Sequence, residues 1–330
     1  MPLSAVFAII ILLLIIACYI SDRLKDPKNY AAIHKNAIRL LKNEGYEKSV
    51  CYLKGKLEEY GEDFFIINEI GTILLMANMP IEAIPYLEKA FKLNSSSDIP
   101  LGNLSLAYYK IDNFEAALSY AERSIIINPN ADYNWINKGN ALYSLKEYDA
   151  SVECFDKAIK LSSDNKLGYF GKGISYLSLE KYDESIESLN KYLEKDKTDI
   201  DAYIHLETCY RAKGNHAERL KICNKIISLN NSLPWAYCSK GYALCYLEDF
   251  KEALEAYDMA IKLDPEYAEA YYQKARVLAF FRHTEDSLQS LAKAVELDES
   301  FRELLWDDWA LDNVKIFRDF KDIASGQKVL

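Results

Sequence analysis

A 34-residue period runs through this chain and limits what it can fold into. Trp135, Gly139, Leu142, Tyr148, Phe155 and Ala158 return as Tyr237, Gly241, Leu244, Phe250, Tyr257 and Ala260, an offset of three times 34. A frame opened at Tyr30 gives eight gapless units, starting at Tyr30, Phe64, Asp98, Asp132, Lys166, Ile200, Pro234 and Ala268 and ending at Phe301. Position 4 is always large and apolar (Ile33, Ile67, Leu101, Trp135, Tyr169, Tyr203, Tyr237, Tyr271), and so is position 11 (Leu40 to Leu278). Position 8 is small in seven units (Ala37, Gly71, Ser105, Gly139, Gly173, Gly241, Ala275), and position 20 in seven (Ser49, Ala83, Ala117, Ser151, Ser185, Ala253, Ser287). Positions 4, 8 and 11 share one helical face, and 20, 24 and 27 share the face of a second helix, so each unit predicts a helical hairpin. A lone hairpin cannot bury its apolar face, and only stacking completes the core.

Composition supports long helices. Apolar residues make up 50% of the chain, while glycine (12) and proline (8) are scarce, against what an all-β chain full of tight turns requires. The net charge of −10 would repel a phosphate backbone, and no basic block interrupts it, so nucleic acid is excluded as a partner. The seven cysteines are an odd number with no CxxC pair, which gives neither a zinc spacing nor a complete disulfide framework. All but Cys18 fall within predicted helices, as small hydrophobes in a reducing compartment.

The N-terminus has a different composition. Leu3 to Ile20 carry no charged side chain, and at helical rise the segment reaches about 27 Å, close to a bilayer core. No Lys or Arg precedes it, unlike a cleaved signal peptide, so a retained single-pass anchor is expected. Ile15, Ile16, Ala17 and Cys18 loosely resemble a bacterial lipobox, which would instead lead to processing and lipidation at Cys18. Arg23, Lys25 and Lys28 follow the apolar run, which places the repeats on the cytoplasmic side. The expected organisation is an anchor over 1–21, a linker over 22–29, eight units over 30–301, and capping helices with a tail over 302–330.

The residues at positions 4, 8, 11, 20, 24 and 27 resemble those of the tetratricopeptide-repeat (TPR) family, and the resemblance covers residues 30 to 301. Proline at position 32 is kept only as Pro129 and Pro265, and the first two units match more weakly, with Lys56 and Gly61 at positions 27 and 32. The resemblance implies an all-α solenoid, a right-handed superhelix of hairpins. It also implies that ligands bind a concave groove through positions 2, 5, 9, 12 and 13 of the first helices. Those positions give Tyr109, Tyr133, Tyr143, Phe170, Trp235, Tyr242, Tyr246, Tyr272 and Phe280, an aromatic row with few charges that predicts an apolar or amphipathic partner segment. Asn103 and Asn137 occupy position 6 of adjacent units, where asparagines in some family members hold an extended peptide backbone; both are expected at the surface. No three consecutive units carry the Lys, Asn and Arg set with which other members clamp chaperone tails.

The unit beginning at Ile200 departs from the pattern, with Glu207 at position 8 and Arg219 at position 20. These positions face each other in the family, so the two charges predict an ion pair inside the hairpin, with a splayed hairpin as the alternative. No phosphate-binding loop, nucleophile elbow or metal-ligand spacing occurs, and His34, His205, His216 and His283 lie in different units. No cofactor, metal or enzymatic activity is expected. The chain is expected to be a membrane-anchored scaffold or adaptor for a protein or peptide, or else a structural component of the cell envelope exposed outside the cytoplasm.

Overall fold

The computed structural model describes residues 29–326. Leu3 to Ile20, Cys18 and most of the expected linker lie outside the described residues, and no helix among those described is long and apolar enough to cross a membrane. The described residues form eighteen α-helices and two 3-10 turns. The chain divides between Lys197 and Thr198 into two compact bodies.

The N-terminal body holds five hairpins. Their helices are Tyr30–Glu44 and Tyr46–Tyr60 (hairpin 1), Phe64–Met76 and Pro80–Leu93 (2), Ile99–Lys110 and Phe114–Ile127 (3), Asp132–Ser144 and Tyr148–Leu161 (4), and Lys166–Ser178 and Tyr182–Lys195 (5). The C-terminal body holds three: Ile200–Ala212 and His216–Leu229 (6), Pro234–Tyr246 and Phe250–Leu263 (7), and Ala268–Phe280 and Thr284–Leu297 (8).

The hairpins are alike because one turn recurs. From hairpin 2 onward, position 15 has left-handed backbone: Asn78, Asp112, Lys146, Glu180, Gly214, Glu248 and Arg282, with φ between 58° and 65°. The N–H of the next residue then bonds back to the carbonyl of position 11, as Met79 does to Leu74 (2.8 Å) and Glu147 to Leu142 (2.9 Å). This Schellman-type closure satisfies the end of the first helix and turns the chain into the second. Six of the seven residues are not glycine, so each accepts some steric cost to make the turn. Asn113, Asn215 and Asp249 cap the following helices through their side chains.

Volume complementarity across positions 8 and 24 explains the small residues. A Cβ added to Gly71, Gly139, Gly173 or Gly241 would lie 2.5, 2.8, 2.8 or 2.6 Å from Leu87, Phe155, Leu189 or Tyr257, all large and fully buried. Where position 8 is Ser105, position 24 is Ala121. Serines add a polar stitch: Ser49, Ser185 and Ser287 at position 20 donate to the position 8 carbonyls of Ala37, Gly173 and Ala275 at 2.8–2.9 Å.

The segment after Phe301 closes hairpin 8, burying Leu305, Leu311, Val314, Phe320 and Ile323. It is built from short elements. A four-residue helix Arg302–Leu305, a 3-10 turn Trp309–Leu311 and a helix Arg318–Ser325 follow one another. The break falls at Asp308, whose Oδ1 accepts from the Ala310 N–H and whose Oδ2 accepts from the Tyr272 hydroxyl and Arg276 Nε, both at 2.7 Å.

Candidate functional site

The first helices of hairpins 1 to 4 bring a set of polar side chains together. His34 Nδ1 lies 2.6 Å from Glu69 Oε1. Asn103 Nδ2 donates to Thr72 Oγ1 at 3.2 Å, and Asn137 Nδ2 donates to the Gly102 carbonyl at 2.9 Å. Asn68 stands one helical turn before Thr72, on the same face. Asn68, Glu69, Thr72, Asn103 and Asn137 are all buried, Asn103 completely, which corrects the expectation that Asn103 and Asn137 are surface side chains. The oxygens Asn68 Oδ1 and Asn103 Oδ1 are buried without any hydrogen-bond partner. Sequence reading missed His34, Asn68, Glu69 and Thr72 because it looked for aromatic residues at the groove positions. Positions 5, 6 and 9 carry this polar signal in plain view.

Beside this floor, three of the aromatic residues are half-buried and engaged through their hydroxyls. Ser144 Oγ donates to Tyr109 and Ser178 Oγ to Tyr143, each at 3.4 Å, while the Tyr133 hydroxyl donates to Asp98 Oδ2. The serines stand one position beyond the tyrosines in the next hairpin, so the two bonds form matching rungs. Phe170 is not groove surface. It is buried to 3% exposure with its ring 5.0 Å from Tyr192, and its place in the row is corrected to core.

The C-terminal body divides its aromatic residues the same way. Tyr272 is buried, its ring 4.8 Å from Phe301 and its hydroxyl on Asp308, because the closing segment covers it. Burial and the Asp308 carboxylate push its phenol well above the ordinary range. Trp235 and Tyr242 are half-buried, and Tyr246 and Phe280 are 59% and 49% exposed. Only part of the expected row is therefore accessible, and Phe280, whose ring lies 5.5 Å from Phe250 and 5.2 Å from the 46% exposed Phe281, belongs to an aromatic cluster of its own. Tyr242 and Tyr246 hydroxyls lie 3.2 Å apart, and the His216 ring stacks on Tyr246 at 4.0 Å. Burial lowers the His216 pKa, and Arg219 lowers it further.

Hairpin 6 contains the two charges expected to meet. Arg219 Nε donates to Glu207 Oε1 at 2.7 Å, and both side chains are buried. Arg219 Nη2 reaches Ser239 Oγ at 3.4 Å and its guanidinium lies 4.8 Å over the Tyr242 ring, so it extends from the second helix onto the first helix of hairpin 7. Among the described residues, no group of three or more His, Cys, Asp and Glu could hold a metal ion.

Two tetratricopeptide-repeat family models match the sequence, one over 134–165 and 234–267, the other over 168–199 and 268–301. The matched stretches are hairpins 4, 5, 7 and 8. No curated protein matches the chain significantly. Among solved structures, the chain resembles the C-terminal part of a TPR repeat-containing protein from Cytophaga hutchinsonii, at 15% identity and a TM-score of 0.61, covering 75% of this chain and 99% of that one. It also resembles YrrB, described as a TPR protein with an unusual peptide-binding site, at 22% identity and a TM-score of 0.52, over 57% of this chain and 97% of YrrB. A tetratricopeptide-repeat protein from Parabacteroides merdae aligns at 16% identity and a TM-score of 0.51, over 76% and 98%. These likenesses are of fold.

Proposed function

We propose, from the premise that this chain is a tetratricopeptide-repeat protein, that it is a scaffold holding a segment of a partner protein on the first helices of hairpins 1 to 4. The observation that carries this reading is the polar floor. A packing position is normally apolar, because a buried polar group without a partner is costly, yet Asn68 and Asn103 keep unpartnered carbonyl oxygens there. Those two oxygens are themselves covered, so they mark the face, and what a partner segment can reach there is the partly exposed rim of His34, Tyr109 and Tyr143. Tyr109 and Tyr143, half-buried and tethered by serine hydroxyls, offer large contact area at low ordering cost beside the floor. That YrrB is described as having a peptide-binding site makes a peptide segment the natural occupant to test in this chain. With Phe170 and Tyr272 in the core, the contact is led by hydrogen bonds and not by the largely apolar, aromatic row expected from sequence.

Leu3 to Ile20 serve in this reading as a membrane tether with the repeats facing the cytoplasm, supported by the charge-free run and by Arg23, Lys25 and Lys28 after it. Protease added to intact cells should spare the repeats and digest them only after lysis. Digestion of intact cells would remove the orientation.

The groove is tested by photo-crosslinking from single positions in the full chain. A benzoylphenylalanine at Tyr109 or Tyr143 should capture the same partner protein, whereas the same probe at Lys157 or Glu187, on the second helices, should not. Equal capture from all four positions would remove the groove assignment.

A further inference from the structure

The segment that closes hairpin 8 buries some of its apolar side chains and leaves others in solvent. Leu304, Trp306, Trp309, Ile316 and Phe317 are between 40% and 74% exposed. Hydrogen bonds hold the backbone that carries them together. Lys315 Nζ donates to the Trp306 carbonyl at 2.6 Å and to Asp312 Oδ1 at 2.7 Å, which brings the stretch with Ile316 and Phe317 back beside Trp306. The Asp312 N–H donates to the Trp309 carbonyl and the Asp308 N–H to the Leu304 carbonyl, both at 3.1 Å, so all five side chains branch from one folded-back loop. The N-terminal body differs: its exposed large apolar side chains among the described residues, Ile81, Leu93 and Ile126, stand far apart in sequence. Single exposed hydrophobes are ordinary, whereas a cluster marks a contact surface. The end of a repeat stack normally carries a polar outer face, and this one does not.

We infer that this cap is an interface between two copies of the chain. Area is the first reason. At their exposures the five side chains present roughly 600 Å², the upper end of what a monomer leaves uncovered. Two such faces together bury about 1,200 Å², which reaches the range of specific protein–protein contacts. Charge is the second reason. Two chains of net charge −10 repel at a distance, so a contact between copies has to form where the charges cancel within each copy. Here Lys315 pairs with Asp312 and Arg276 with Asp308, both at 2.7 Å, and Arg318 with Asp322 at 3.5 Å. The surface left for a partner to meet is mainly apolar, and an apolar face complements itself, as a two-fold contact requires. The exposed Glu303 and Asp307 fit the polar rim around such a core, and tryptophan is a side chain that interface cores favour. The inference concerns the C-terminal body and does not depend on the groove reading above.

The test must separate the cap from mere co-residence in one micelle. Two copies of the full chain with different affinity tags are co-expressed, one of them carrying benzoylphenylalanine at Trp309, then extracted in detergent and irradiated. The expected result is a product bearing both tags, formed at least fivefold less when the probe stands at Ile126, which is more exposed but isolated. Trp306→Glu with Ile316→Glu should cut the Trp309 product at least fivefold at unchanged melting temperature, whereas Ile126→Glu should leave it unchanged. If the glutamate pair melts early, Trp306→Ser with Ile316→Ser decides instead. Equal product from Trp309 and Ile126, or a Trp309 product that survives the paired substitutions, would overturn the interface. Capture of a different protein from Trp309 in place of the second copy would overturn it as well.

Discussion

In hairpin 7, Gly241 makes room for the ring of Tyr257, and Ala253 completes a close apolar approach of the two helices. In hairpin 6, the equivalent places hold Glu207, Cys223 and Arg219, with a 2.7 Å ion pair where the others have small side chains. The two hairpins share a turn, a length and a body, so backbone geometry does not require either solution. The difference shows two ways to fill the space between the helices: in hairpin 7 by the large side chain of Tyr257 from position 24, and in hairpin 6 by two charges that neutralise each other. The second solution also commits the hairpin to its neighbour, since Arg219 reaches Ser239 and Tyr242. One atom remains unsatisfied there, Arg219 Nη1, so the substitution carries a polar cost that hairpin 7 avoids.

The comparison breaks most visibly if one charge is removed. Arg219→Ala should cost about 3–5 kcal/mol, because Glu207 is then buried without a partner. Restoring the set found in hairpin 2, by Glu207→Gly, Arg219→Ala and Cys223→Leu together, should recover that loss, since well-packed apolar replacements of buried pairs are neutral or stabilising by about 1–4 kcal/mol. Urea melts of the three proteins decide it. A single variant as stable as the parent would show that the pair is hydrated and that hairpin 6 is open.

The reverse intrusion into hairpin 7 should cost less. Gly241→Ala would put a methyl group 2.6 Å from Tyr257 Cε1, and moving a fully buried ring to relieve it should cost about 1–3 kcal/mol. Gly55→Ala, at a helical glycine with open space around it, provides the control for packing. A Gly241 variant that melts with the parent would mean that Tyr257 has room to shift.

Alkaline pH probes hairpin 6 through Cys223, as it probes hairpin 7 through the thiols of Cys238 and Cys245, whose pKa values burial also raises. Burial first, then Glu207, pushes its thiol up to about 12 from 9.0. Because the folded pKa is the higher, the folded state holds the proton more tightly. The stability this gives is present below the unfolded pKa and is lost as pH rises from about 9 towards 12. Near pH 9.5 the loss should be about 1 kcal/mol, from the linkage relation. Cys223→Ala should reduce the steepness of the decline in urea stability above pH 9. The same slope in both proteins would mean that Cys223 does not report on the alkaline transition.

How much of this was legible in sequence depends on which signal each residue carries. The hairpins were legible because position 8 must be small wherever position 24 is large, a constraint visible in Gly71, Gly139, Gly173 and Gly241 without any coordinates. The meeting of Glu207 and Arg219 was legible for the same reason, as a paired exception. The groove was not. Tyr272 sits at a groove position yet is core because the chain continues past Phe301 and lays Asp308 against it, which a per-repeat frame cannot express. Phe170 is buried by Tyr192 of its own hairpin. The polar floor was overlooked for a different reason: His34, Glu69, Thr72 and Asn103 are unremarkable singly, and only stacking places them together.

The smallest effect separates the two hairpins at their turns. Gly214 and Glu248 hold the same position with φ of 64° and 63°, one at no steric cost and the other against its Cβ. Glycine there gives up more unfolded freedom but avoids the left-handed penalty, so the balance favours glycine by a modest margin. Gly214→Ala should therefore destabilise by about 0.5–1 kcal/mol, and Glu248→Gly should stabilise by about 0.5 kcal/mol or less. Opposite signs are the informative result, because the turn closure, Asn215 N–H to the Tyr210 carbonyl in one hairpin and Asp249 N–H to the Leu244 carbonyl in the other, is 3.0 Å in both. Paired urea melts, with the Cys223→Leu set as background to keep the packing of hairpin 6 like that of its neighbour, would measure the turn alone. If both substitutions destabilise, Glu248 makes a contact that offsets its backbone cost, and the equivalence of the two turns fails.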